Sequence, residues 1–157
     1  MKKREVYEGI IQKVAFPNKG LVTVEGEEKS VIVKNGIPGQ KVKFCVNKIR
    51  KGKAEGRLLE VLEKSPLETR EPVCSIFPAC GGCMYQTMSY EEQMKMKGDQ
   101  VKEILDAAIL EDYEFEGVKA SPKEFAYRNK MEFPLEMNTK TVRCHLGCTK
   151  REAHMMC

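Results

Sequence analysis

The segment Cys74-Ser75-Ile76-Phe77-Pro78-Ala79-Cys80-Gly81-Gly82-Cys83 constrains this chain more than any other. Three cysteines at Cys-x5-Cys-x2-Cys spacing, in a chain with no sign of export to an oxidising compartment, point to a metal held by thiolates. A soft metal or an iron–sulfur cluster suits such a donor set. Cys80 and Cys83 share one tight turn, and Gly81-Gly82 between them lets the backbone close around a bulky inorganic centre without Cβ clashes. The alternative is three buried or free thiols, a common fate of isolated cysteines. Seven cysteines is an odd count, and a reducing compartment favours ligands over bridges.

At 157 residues, 41% hydrophobic and 32% charged, the chain has the size and balance of one ordinary globular domain or two small ones. No apolar run approaches the length of a membrane span, and the basic start Met1-Lys2-Lys3-Arg4-Glu5 has no apolar stretch behind it. A cytoplasmic protein with no membrane partner is therefore expected. Charge is unevenly placed: residues 1–70 carry 16 Lys and Arg against 9 Asp and Glu, whereas residues 71–157 carry 11 against 14. The first half is thus the side that would meet an anionic partner.

From Glu5 to Glu63, short β-branched runs alternate with turn residues. Strands are predicted near Glu5–Val14, Lys19–Glu25, Ser30–Lys34, Lys41–Asn47 and Arg57–Glu63. Five strands in so short a stretch suggest a small antiparallel, OB-like barrel over residues 1–64, because closure removes the sheet edges. Turns fall at Asn18-Lys19-Gly20, Asn35-Gly36 and Ile37-Pro38-Gly39-Gln40, where Pro fixes φ at one position and Gly supplies positive φ at the next. In the fourth strand Val42, Phe44 and Val46 alternate with Lys41, Lys43 and Cys45, giving an inward face and a basic outward face, with Cys45 as a core or edge filler. Lys41, Lys43, Lys48, Arg50, Lys51 and Lys53 form an acid-free basic run, which is either a solvated face or an RNA contact.

Residues 65–73, with Pro66 and Pro72, read as a stiff linker. Beyond the cysteines, Ser89-Tyr90-Glu91-Glu92 is a capping box that opens a helix. Met94, Val101, Ile104, Leu105 and Ala108 recur at helical spacing, which predicts an ordinary packed core face.

Gly9-x10-Gly20, the strand over 29–34, Ile37-Pro38-Gly39-Gln40-Lys41-Val42 and the basic hairpin resemble a TRAM domain, a small RNA-binding barrel. Cys74 through Cys83, continuing as Met84-Tyr85-Gln86-Thr87-Met88-Ser89-Tyr90, resembles the RNA (uracil-5-)-methyltransferase family of the 23S rRNA type. Tyr127-Arg128-Asn129-Lys130-Met131-Glu132-Phe133 also looks like that family, in a strand of the central domain near bound RNA, where Arg128 and Lys130 could contact phosphate. The resemblance implies a [4Fe-4S] cluster on Cys74, Cys80 and Cys83 with a fourth cysteine further along. It implies S-adenosylmethionine as methyl donor and ribosomal RNA as partner, in a monomer without DNA specificity.

The resemblance stops at Phe133. Residues 74–133 then read as a partial, incomplete α+β central domain with one long helix, and residues 134–157 as an irregular tail. Codons for the tail can be chosen so that a shifted frame restores the family's continuation, so the tail is read as out of frame. Cys157 stays open as a substitute fourth ligand, and Cys144, Cys148, His145 and His154 as a zinc module. No glycine-rich strand-to-helix turn for a methyl donor occurs, and no catalytic residue is assigned. The expected function is the RNA- and cluster-binding N-terminal part of such a methyltransferase, inactive alone; the alternative is a stand-alone RNA-binding protein with a metal knuckle.

Overall fold

A computed structural model describes residues 1–27, 30–50, 52–79 and 82–127 in full, and 135–138 and 143–146 by backbone alone. Five strands form first: β1 (Val6–Ala15), β2 (Lys19–Thr23), β3 (Val31–Lys34), β4 (Lys41–Arg50) and β5 (Lys53–Glu63). They close into the expected barrel in the order β1-β2-β3-β5-β4, with β4 returning to β1.

The barrel is not wholly antiparallel, because β3 and β5 pair in parallel through Val31 with Ala54 and Val33 with Gly56. Five is an odd number, so strict up–down alternation cannot close the ring and one parallel pair is unavoidable. β4 and β5 are longer than the sequence suggests, and their outer ends continue as a hairpin to Arg50 opposite Lys53. Register shifts in β1 and β4 supply the bends that let ten-residue strands wrap a small core.

Alternation fills the interior: Ile11, Val22, Val31, Val33, Val42, Phe44 and Val46 are each 0% exposed. Gly9 belongs to this closure, since a Cβ there would lie 2.3 Å from the Thr23 carbonyl oxygen and 2.6 Å from Val22 Cγ1. The Ile37–Gln40 turn forms as predicted, with Gln40 N–H donating to Ile37 O at 3.2 Å and Gly39 at φ +86°. Cys45 is buried and disulfide-bonded, where the sequence suggests only a filler.

The linker is bolted to the barrel rather than merely stiff. Glu68 Oε1 accepts from Gln40 Nε2 at 2.7 Å and from Ser65 N–H at 2.9 Å, and its Oε2 accepts from Thr87 Oγ1 at 2.9 Å. Ser65 Oγ donates to Pro38 O. One carboxylate thereby satisfies the buried side chains of Gln40 and Thr87 and joins barrel, linker and cysteine segment.

The helix α1 (Tyr90–Ala108) starts where the capping box places it, with Ser89 Oγ accepting from Glu92 N–H at 3.2 Å. Its predicted core stripe is not core. No residue of α1 is buried, and Val101 and Ile104 are 44% and 45% exposed. A different face meets the barrel: Gln100 Nε2 donates to Val14 O at 2.7 Å, Glu103 pairs with Lys13 at 2.7 Å, and Met96 packs on the core cluster. The barrel fills its interior from its own strands, so polar bonds rather than apolar burial orient the helix.

The chain then returns along α1. Tyr113 donates to Asp106, Val118 approaches Gly98, and Tyr90 Oη accepts from Ser121 N–H at 2.7 Å. In the tail, which the sequence suggests is irregular, β6 (Leu135–Asn138) and β7 (Arg143–Leu146) pair as antiparallel strands.

Candidate nucleic-acid interface and cysteine loop

The six basic residues of the β4–β5 region do not share one environment. Lys41 pairs with Glu63 at 3.1 Å, and that hydrogen bond and charge hold its ammonium above the ordinary lysine range. Lys43 lies in register with Glu8 on one neighbouring strand and Glu60 on the other. Acids from β1 and β5 thus offset the half of the run that the linear sequence shows as acid-free.

The other half projects as a basic tip. Lys48, Arg50 and Lys53 are exposed, Arg50 stands opposite Lys53, and only Lys48 has an acid, Glu55, across from it. Gly52 turns the hairpin at φ +76° with nothing within 4 Å of where its Cβ would be. Such a tip can follow a phosphate backbone without reading sequence. Lys51, Arg128 and Lys130 lie outside the described residues.

The cysteine segment forms a loop tied at both ends. Cys74 N–H donates to Gln86 Oε1 at 3.2 Å, and Arg70 N–H donates to Thr87 O at 3.0 Å. Within it, Phe77 N–H reaches Cys74 O at 3.1 Å and Ala79 N–H reaches Ile76 O at 2.8 Å. Cys74 and Cys83 are exposed and outside any disulfide; Cys80, with Gly81, lies outside the described residues. The candidate ligands Cys148, His154 and Cys157 lie outside them too, and Cys144 and His145 are described only as backbone of β7.

Two exposed thiols on a short, end-tied loop fit a thiophilic metal or cluster in their donor chemistry. Among the described residues no group of three or more His, Cys, Asp or Glu side chains converges. Two features here escape the linear reading. The Glu68 hub is foreshadowed by Ser65-Pro66-Leu67-Glu68, which has capping-box spacing. Phe16, 60% exposed at the β1–β2 turn, carries no signal in sequence beyond its place beside Pro17 and Asn18.

No protein-family model matches the chain. Curated relatives do, and they are named as uncharacterized RNA methyltransferases. One from Caldanaerobacter subterraneus subsp. tengcongensis is 44% identical over 133 residues, covering 85% of this chain and 29% of the relative. Others from Clostridium tetani and Clostridium acetobutylicum are 41% and 37% identical, again over 85% of this chain and 28% of their own lengths. The chain is similar to the N-terminal part of these relatives and spans less than a third of their length. Among the described residues no helix is long and apolar enough to cross a membrane.

Proposed function

We propose that this chain is the RNA-binding N-terminal part of an S-adenosylmethionine-dependent uracil-5 methyltransferase of the 23S rRNA type, with Cys74, Cys80 and Cys83 as ligands of a [4Fe-4S] cluster. The observation that carries the reading is the alignment of 85% of the chain with proteins named RNA methyltransferases. The closed barrel with its basic tip and the thiol-bearing loop supply the chemistry such a part needs.

In this reading Lys48, Arg50, Lys51 and Lys53 hold the phosphate backbone, and Arg128 and Lys130 add contacts further along the chain. Lys41 and Lys43 are weaker contributors, because carboxylates already face them. A cluster, when bound, supplies a rigid cross-link for the loop and for RNA positioning rather than electron transfer. The chain's own residues tie that loop to the barrel through Gln86, Thr87 and Glu68. In this reading no residue of this chain is assigned to methyl-donor binding or to the nucleophile.

The test is RNA binding by the whole chain at several salt concentrations. Charge reversal of Lys48, Arg50 and Lys53 should weaken binding at least tenfold and flatten the log–log salt slope by about 2, from roughly 0.7 per single-strand phosphate contact. Binding that ignores both salt and these three residues would sink the interface. Iron with labile sulfide in anaerobically purified protein supports the cluster, while stoichiometric zinc favours a stand-alone RNA-binding protein with a metal knuckle. A barrel that closes on its own core is the observation that keeps this second reading in play.

A further inference from the structure

At the opposite end of β2 from the Val24–Glu27 turn, the chain leaves β1 at Ala15, turns through Phe16-Pro17-Asn18 and enters β2 at Lys19. Phe16 is 60% exposed there. A single exposed aromatic on a protein surface is ordinary. Its neighbours make this one unusual. Lys19 and Lys34 stand directly opposite each other across the β2–β3 pair, both exposed, and among the described residues neither has an acid partner. Like charges at a cross-strand position repel and destabilise the pair, and an anion between them removes that cost.

The turn is also well built. Asn18 and Asn35 both take left-handed φ, at 74° and 67°, and Asn18 Nδ2 donates to Asn35 Oδ1 at 3.0 Å, which ties the two turns together beside the lysines. Asn18 Oδ1 accepts from Tyr85 Oη at 2.7 Å, and Asn18 Nδ2 contacts Met84 Sδ at 2.6 Å. Phe16 is therefore presented on a turn fixed from two sides, immediately next to the residues that follow Cys83.

We propose that Phe16 is a stacking platform for an unpaired RNA base, with Lys19 and Lys34 holding the flanking phosphate, a second RNA contact separate from the β4–β5 tip. The inference rests on the RNA-binding reading above and extends it. An exposed aromatic flanked by unpaired cations is what single-stranded nucleic acid requires, since every base has a face to stack and every linkage a charge to meet. In barrels of this strand order, the first turn and the outer strands beside it are surfaces on which oligonucleotides lie. Beyond Asn18 the next side chains are Tyr85 and Met84 of the cysteine segment.

The chain contains no tryptophan, so Phe16→Trp makes a single-fluorophore reporter. Titration of the whole chain with a short single-stranded oligouridylate should quench that fluorescence in step with binding. Phe16→Ala and Phe16→Leu should each weaken binding by about 5- to 150-fold, the range of one lost base stack. Lys19→Gln with Lys34→Gln should lower the salt slope by about 1. Phe16 and both lysines are exposed, and circular dichroism and melting of each variant check that the barrel is retained.

Unchanged fluorescence at saturation, together with wild-type affinity of Phe16→Ala, would overturn the site while leaving the RNA-binding reading intact. If the unaltered chain binds no RNA at any salt concentration, both fall together.

Discussion

The two halves of this molecule are held by different forces. The barrel is closed by five strands around an interior of Ile, Val and Phe side chains, several with no exposure at all. From Ser65 to Tyr127 the only buried apolar residue among those described is Met88, and the nineteen-residue helix has none. That second half hangs on polar fastenings: Glu68 to Gln40 and Thr87, Lys13 to Glu103, Gln100 to Val14, Tyr85 to Asn18. Apolar burial works in any orientation, whereas these bonds fix geometry but add little net stability each. The barrel is therefore expected to fold alone, with the cysteine segment and helix borrowing their order from it.

The largest effect that would sharpen this contrast comes from Glu68→Ala. It leaves Gln40 Nε2, Ser65 N–H and Thr87 Oγ1 short of an acceptor, at a cost of about 2–4 kcal/mol. Hydrogen exchange should show α1 and the cysteine loop losing protection while β1 and β4 keep theirs. Equal loss in both halves would mean that they form one cooperative unit, and the contrast would be broken.

Gly9→Ala tests the other half. Its methyl would meet the Thr23 carbonyl, so β1 or β2 must shift, and destabilisation of about 1–3 kcal/mol is expected. Thermal unfolding should then report a lower barrel transition. An unshifted transition would show that the strands have slack which the closed packing denies.

The smallest effect concerns the return of the chain along the helix. A hydrogen bond from Tyr113 and then one from Lys102 hold the Asp106 carboxyl below its ordinary range. A carboxyl lowered on folding stabilises above its unfolded pKa, about 4, and that contribution is lost as pH falls through the lower folded value. Residues 109–121 should thus loosen from α1 in acid before the barrel changes, seen as an early shift of the Tyr113 ring signals by NMR. Movement of Tyr113 and the barrel core together would remove the distinction.

How much of this was legible in the sequence follows the same division. The strand alternation, the turn of Ile37-Pro38-Gly39-Gln40 and the Ser89 cap could be read because each depends on residues near one another in the chain. The carboxylates that face Lys41 and Lys43 could not, since they arrive from strands distant in sequence. Helical periodicity placed α1, but the packed core face it predicted is exposed, because among the described residues another face of the helix meets the barrel. The cysteine motif offers candidate ligands by spacing alone. The loop's fastenings through Gln86 and Thr87 depend on a fold that spacing does not encode.

The single parallel pair in the ring has a consequence for how the chain is made. β1, β2 and β3 can meet through neighbouring turns as soon as they emerge from the ribosome, but β3 has no partner on its far side until β5 has been synthesised. The nascent protein therefore carries an open sheet edge until Glu63 is out, and its first complete shape arrives in one late step, when a strand threaded past β4 docks alongside β3.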